Sequence, residues 1–336
     1  MTRPVRVAVL GGGSWGTTVA SIAADNADTL LWARDPETVA DVNERHCNRR
    51  YLGELPLHPT LTATNDLERA VWDADVVVLG VPSHAVRATL RDIAPLLRHW
   101  VPIVSLTKGL EQGSRLRMTE VIEQELPGRP AGVLAGPNLA KEVLSGMAAA
   151  SVIAMPDEHV SKSLQTIFSS LRFRVYTNHD VVGCELGGAL KNVIAIAAGM
   201  AEGLSVGDNT KAMVITRGLN ELTRLGTAMG GDPRTFSGLT GLGDLLATCS
   251  SPLSRNRTVG VELAKGRTID EITSSMRMVA EGVKTSRVVV ELSDEHGVEA
   301  PIAREVDAVI RSGRSAAQAY RGLGRVQPMS EFDATA

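Results

Sequence analysis

Hydrophobic and polar positions follow two rules along this chain, and the change comes near residue 185. In the first half, short and almost wholly apolar runs recur between amphipathic stretches. They are VRVAVL (5–10), TLLWAR (29–34), DVVVLGVP (75–82), PIVSLTKG (102–109), GVLAGP (132–137), ASVIAM (150–155) and FRVYT (173–177). Helical patterns lie between most of them, the first running from Ser14 to Asp25. Strands without a polar face, separated by helices, predict a parallel sheet covered on both sides.

After about Asp180 the strand signals stop. Segments 184–204, 208–229, 240–249, 256–265, 268–275, 282–296 and 301–312 all read as helix. Pro301 heads the last of these, where a first-turn proline fits. The pattern predicts an α/β domain over 1–185 and an all-helical domain over 186–336. The closing PMSEFDATA reads as a loose tail.

Composition narrows the partners. The 336 residues suit two domains, and 35 basic against 38 acidic residues give no support to a nucleic-acid partner. Aromatics are only 3%, too few for base-stacking platforms. No signal peptide is expected at the N-terminus, and no run of 18 uncharged apolar residues predicts a membrane span. Cys47, Cys184 and Cys249 are widely spaced and odd in number. They read as buried, reduced thiols of a cytoplasmic protein, and no metal site is expected.

The first apolar run ends in LGGGSWGTT, which sets Gly11, Gly13 and Gly16 in a G-x-G-x-x-G spacing. The first glycine allows a tight turn, the second close approach to a pyrophosphate, and the third helix–strand packing. The following helix offers free N–H groups and a positive dipole end. A strand before it and a helix after it make this a dinucleotide fingerprint, so the α/β domain reads as Rossmann-type. The second strand ends in Ala33, Arg34 and Asp35. Arg34 can pair a 2′-phosphate while Asp35 caps the next helix; this favours NADP and leaves NAD open, with a solvated Arg34 as the alternative.

Other candidates sit where strands end or where burial is expected. Lys108 follows a buried strand; Gly136, Pro137 and Asn138 follow another. Lys191 stands inside CELGGALKNVIAIAAGMAEGL, a helix otherwise built for burial. Its helical neighbours include Gly187 and Gly188, which give either close packing of another element or room for a ligand. A buried lysine suits proton transfer; one that snorkels outward does not. In GLTGLGDLLATC, Asp244 has Thr248 one turn on, and can simply cap that helix. Ser254, Arg255 and Asn256 then supply a hydroxyl, a guanidinium and an amide in what reads as a loop, suited to a phosphate.

As a set these pieces resemble bacterial NAD(P)-dependent glycerol-3-phosphate dehydrogenase. The matching stretches are GGGSWGT, LWARD, GVPSHAV, SLTKGLE, AGPNLAKE, GGALKNVIAIAAG, GLTGLGDLLATC, SRNR and VAEGV, in order from residue 11 to 283. The resemblance implies reduction of dihydroxyacetone phosphate to glycerol 3-phosphate, feeding phospholipid synthesis, with the active site in the interdomain cleft. It implies Lys191 as acid/base with Lys108, Asp244 and Thr248 beside the reacting carbon. Substrate contacts are implied for Gly136, Asn138, Ser254, Arg255 and Asn256. Cofactor positions are implied for Ser14, Trp15, Arg34, Lys108, Ala140, Arg255, Val279 and Glu281, and a homodimer for the assembly. One departure is Asn138–Leu139, where the family more often carries a small hydroxyl residue and Phe.

Overall fold

The computed structural model describes residues 3–276 and 280–323. Val279 and the PMSEFDATA tail therefore lie outside the described residues. The chain divides into two compact units, one ending at Val181 and one starting at Val182.

The first unit is built on eight strands: β1 (Arg6–Leu10), β2 (Asp28–Trp32), β3 (Thr62–Thr64), β4 (Val76–Leu79), β5 (Ile103–Ser105), β6 (Ala131–Ala135), β7 (Ala149–Ala154) and β8 (Phe173–Asn178). Their order is β3-β2-β1-β4-β5-β6-β7-β8. Val7 and Val9 enter one apolar core, and Ala8 and Leu10 enter another on the opposite face. That two-sided burial is why the strands carry no polar alternation. The strand order reverses between β1 and β4, the place where such sheets open a ligand crevice.

Two features differ from the pattern reading. The sheet is not wholly parallel, because β7 runs antiparallel to β6, with Val133 opposite Ala154. Residue alternation carries no direction, so a buried strand reads alike both ways. And β3 was not expected: it has three residues, two of them threonine, at a sheet edge.

The second unit is helical. Its helices are Val181–Gly203, Asp208–Ala228, Pro233–Phe236, Asp244–Ser250, Arg255–Ala264, Ile269–Ser275, Glu281–Glu295, Pro301–Arg311 and Ala316–Leu323. The short Pro233–Phe236 and the last helix were not foreseen. The expected 240–249 helix divides into a wide π-type turn, Leu239–Gly243, and the helix from Asp244. Val181–Gly203 is long and apolar enough to cross a membrane, but it is almost wholly buried in protein. It crosses Arg255–Ala264 closely: a Cβ on Gly199 would strike the Arg257 carbonyl, and one on Gly260 the Ile196 carbonyl. Glu221 is buried and accepts the N–H groups of Ile302 (2.8 Å) and Ala303 (3.2 Å), so it caps the helix Pro301–Arg311.

Candidate active site

The N-terminal unit carries the glycine turn between β1 and the helix Ser14–Ala23. Gly11 has φ +131°, and a Cβ there would press on the Gly80 carbonyl at 2.6 Å. A Cβ on Gly16 would collide with the Gly11 carbonyl oxygen. Gly13, by contrast, faces open space. The first and third glycines thus serve packing, and the second leaves the approach to the helix start clear. Gly13 is the N-cap and brings no side chain to the first N–H groups, so these remain for an anion. Trp15 packs edge-on against Phe173 at 5.9 Å, with its buried Nε1 unpartnered among the described residues. Behind the turn, buried Asn48 donates to the Gly12 carbonyl (3.0 Å) and the Thr17 hydroxyl (2.9 Å).

Just past β2, Arg34 is exposed. Asp35 is the N-cap of the helix Pro36–Arg45, accepting from the Glu37 N–H at 3.2 Å, the Thr38 hydroxyl at 3.0 Å and Arg50 at 2.9 Å. The Thr38 bond leads in holding its carboxyl below the usual range, with Arg50 helping. An acid so engaged is turned from the role of a ribose ligand. Arg50, missed in the sequence, is a second cation at this strand end.

Past β5, Lys108 donates from Nζ to the Gly136 carbonyl at 2.8 Å, which joins the ends of β5 and β6. Two residues beyond Gly136, the amide N and O of Asn138 are buried with no hydrogen-bond partner among the described residues. Ala140 opens the short helix Ala140–Leu144.

The C-terminal unit brings Lys191, Asp244 and Thr248 together. Lys191 is only 3% exposed and Asp244 2%, so the lysine does not snorkel. Lys191 Nζ lies 2.8 Å from Asp244 Oδ1 and donates to the Thr248 hydroxyl. That hydroxyl donates in turn to the Asp244 carbonyl at 2.7 Å. An ammonium has three N–H groups. The third has no partner among the described residues. Asp244 is not the N-cap it was weighed as: Gly243 holds that position, and the carboxylate faces the lysine. Gly187 is likewise settled toward packing, since a Cβ there would lie 2.6 Å from the Thr240 carbonyl oxygen. It lets the turn before Asp244 press onto the Lys191 helix, rather than leaving ligand space. Nearby Cys249 has its thiol pushed up to about 12 by burial, so it stays protonated.

Ser254, Arg255 and Asn256 are not in a loop. Ser254 is the N-cap of Arg255–Ala264, accepting from the Arg257 N–H at 3.3 Å. Arg255 is exposed in the first turn. Asn256 is buried, donating to Asn192 Oδ1 (2.9 Å) and accepting from the Gly282 N–H (3.0 Å). Its amide joins three helices through Oδ1 and one N–H, while Arg255 and the other amide N–H are the groups of this helix start to which the phosphate reading applies. Glu281 opens the third of these helices, Glu281–Glu295. Asn192 was overlooked; a second polar residue beside Lys191 on so apolar a helix was the available signal.

Comparison with known proteins agrees with this chemistry. Family models for the N-terminus and C-terminus of NAD-dependent glycerol-3-phosphate dehydrogenase match residues 6–161 and 180–321. A glycerol-3-phosphate dehydrogenase (NAD(P)+) of Sphingopyxis alaskensis is 59% identical over 319 residues, covering 95% of this chain and 96% of the relative. One from Mycobacterium avium is 58% identical over 322 residues, covering 96% and 94%. The crystal structure of glycerol-3-phosphate dehydrogenase from Coxiella burnetii superimposes with a TM-score of 0.91 at 36% identity, covering 96% of this chain and 99% of that one. The chain belongs to the NAD-dependent glycerol-3-phosphate dehydrogenase family.

Proposed function

We propose that this protein reduces dihydroxyacetone phosphate to glycerol 3-phosphate, reversibly, with NADPH preferred over NADH and Lys191 as proton donor and acceptor. The observation that carries the reading is the buried Lys191, held by Asp244 and Thr248 with one N–H left over. Two contacts orient the ammonium, and the third N–H is available to a substrate oxygen. Placed there, Lys191 protonates the oxygen as charge develops on it and takes the proton back in reverse. Asp244 keeps the cation in place in an apolar surrounding, and Thr248 fixes its direction.

The glycine turn fits a dinucleotide: Gly13 is open, and as N-cap it brings no side chain to the first N–H groups of Ser14–Ala23. A bound nicotinamide supplies the hydride. Arg34, with Arg50 beside the engaged Asp35, supports recognition of a 2′-phosphate and so the NADP preference. Lys108 holds the substrate near the Gly136 carbonyl, and Arg255 takes its phosphate by a forked ion pair. Glycerol 3-phosphate for phospholipid synthesis, a cytoplasmic setting and a homodimer belong to the same proposal.

Loss of absorbance at the nicotinamide band, with dihydroxyacetone phosphate and either cofactor, tests it. Turnover is expected with the phosphate ester and faster, at low cofactor, with NADPH. No turnover on that substrate, but turnover on a 2-keto acid, would replace the substrate assignment.

A further inference from the structure

Lys108 lies on a turn that is tied down on both sides. One residue before it, the Thr107 hydroxyl donates to the Val81 carbonyl at 2.7 Å. Three residues after it, Glu111 receives a fork from Arg87: Nε to Oε1 at 2.8 Å and Nη2 to Oε2 at 2.7 Å. Val81 stands just before Pro82, the N-cap of the helix Ser83–Ile93, and Arg87 lies within that helix. Glu111 also accepts from the Ser114 hydroxyl at 2.5 Å, and its N–H meets the Leu116 carbonyl at 2.9 Å. The far arm of the turn is anchored separately, by the Leu110–Arg117 bridge and by Arg117 N–H to Glu120 at 2.8 Å.

Arg87 is itself held. Nη1 meets Glu125 Oε1 at 2.5 Å, and Nη2 meets Gln124 Oε1 at 2.9 Å, both on the helix Met118–Glu125. Arg91 takes both Glu125 oxygens at 3.0 Å. The Arg87 and Glu111 side chains are only 23% and 16% exposed, so their pair is less screened than a surface ion pair. Arg87 is the leading cause holding the Glu111 carboxyl below its usual range.

We propose that Arg87 is a positioning residue: its fork to Glu111, with the Thr107–Val81 bond, sets the backbone path that presents Lys108. The inference rests on Lys108 serving the reaction proposed above. A side chain that orients a substrate loses its effect when its base moves by as little as about 1 Å, at a cost of order 100-fold. Arg87 touches no reacting atom in this account; it acts through Glu111 and then Lys108.

The test compares Glu111→Gln, Arg87→Met and Arg87→Lys with Arg91→Ala, which loosens the Glu125 pair and leaves Glu111 alone. Melting temperature, kcat and KM for dihydroxyacetone phosphate are measured for each. Glu111→Gln and Arg87→Met are expected to lower kcat/KM by about tenfold or more, with Arg87→Lys between them and the parent. Arg91→Ala, which removes a more exposed ion pair, should stay within about twofold in kcat/KM and cost little thermal stability. In a Lys108→Ala background, Glu111→Gln should cost less than about twofold further, because residues acting in series are non-additive. The proposal is overturned if Glu111→Gln keeps parental kcat/KM, or if its full loss persists without Lys108. Glu111→Gln keeps the side chain's shape and carries the test if Arg87→Met does not fold. A parent enzyme inert toward dihydroxyacetone phosphate would instead sink the functional reading.

Discussion

On the sequence alone, replacing Lys191 by methionine removes a proton donor and is expected to spare the fold. The structure changes that expectation. Asp244 is 2% exposed, with Lys191 at 2.8 Å as its ion-pair partner. Lys191→Met leaves that carboxylate buried without its cation, and breaking a buried pair from one side costs about 3–5 kcal/mol. At about 2–4 °C per kcal/mol for a unit of this size, the melting temperature should fall by roughly 6–20 °C. Removing the second charge as well reverses the sign of the argument. Lys191→Met with Asp244→Asn or Asp244→Leu leaves no buried charge, and such paired replacements are often neutral or stabilising by about 1–4 kcal/mol. The double variant should therefore recover most of the lost stability.

Activity separates the two roles Lys191 can have. If it moves the proton, kcat falls by roughly 10²–10⁴ in the single variant and stays down in the double one. If it only neutralises Asp244, the double variant should regain turnover along with its fold. Urea titration gives the stability cycle, and nicotinamide absorbance well below the melting range gives kcat. A single variant as stable as the parent would refute the buried-pair argument. A stable double variant with near-parental kcat would refute the catalytic one.

Three further outcomes follow from other parts of the chain. Arg34→Ala should weaken NADPH by about 1.5 kcal/mol, the low end for a charge-assisted bond because the side chain is exposed, and leave NADH almost unchanged; equal losses in fluorescence titrations would remove Arg34 from 2′-phosphate recognition. Arg255→Ala should lower kcat/KM for dihydroxyacetone phosphate by more than about tenfold and for phosphate-free dihydroxyacetone by much less, since remote binding energy serves turnover; a similar loss on both would move the phosphate site elsewhere. Glu221 has its carboxyl raised to about 7, chiefly by burial, from the 4.5 of an ordinary glutamate. Between those values the folded chain binds the extra proton, so the group's stabilisation is full below about 4.5 and lost as pH rises through about 7, at most about 3 kcal/mol. Glu221→Gln should flatten that decline in urea midpoint between pH 5 and 8, and an unchanged slope would assign it to other groups.

What was legible in the sequence depended on whether burial leaves a local mark. The strands of the first unit are buried on both faces, so apolar runs revealed them; β3 has neither the length nor the composition to do so. Lys191 was legible because a charge interrupts an apolar helix. Its partner was not, because Asp244 is 53 positions away (244 − 191) and next to a glycine turn looks like a cap. Gly187 left packing and ligand room both open in the sequence, and only the fold shows that it meets the Thr240 carbonyl. Ser254 to Asn256 looked like a loop because a helix start carries cap residues before any apolar period can show. Arg87 and Glu111 carry no local mark in the sequence, and only the fold of the turn after β5 brings them together.

Polar groups that are fully engaged and those with capacity left divide the site into frame and contact surface. A buried polar group without a partner costs about 1–3 kcal/mol, so a chain retains one where something else meets it or where neighbouring structure gives compensation. Asp35 and Glu111 are engaged on both carboxylate oxygens, as a cap and as a forked ion pair, and Asn256 bridges three helices. They fix where the end of β2, the Lys108 turn and the helix starts stand. Among the described residues, open capacity lies in the third N–H of Lys191, both amide atoms of Asn138 and the indole N–H of Trp15. Asn138 is also where the sequence departs from its family's usual small hydroxyl. An amide offers two donors and a separate acceptor oxygen where a hydroxyl offers one donor and acceptor lone pairs on a single atom, so this position can meet a ligand at two points. On the N-terminal unit the amide of Asn138 thus brings two donors and an acceptor with no partner among the described residues, and on the C-terminal unit Asp244 and Thr248 hold the Lys191 ammonium by two contacts.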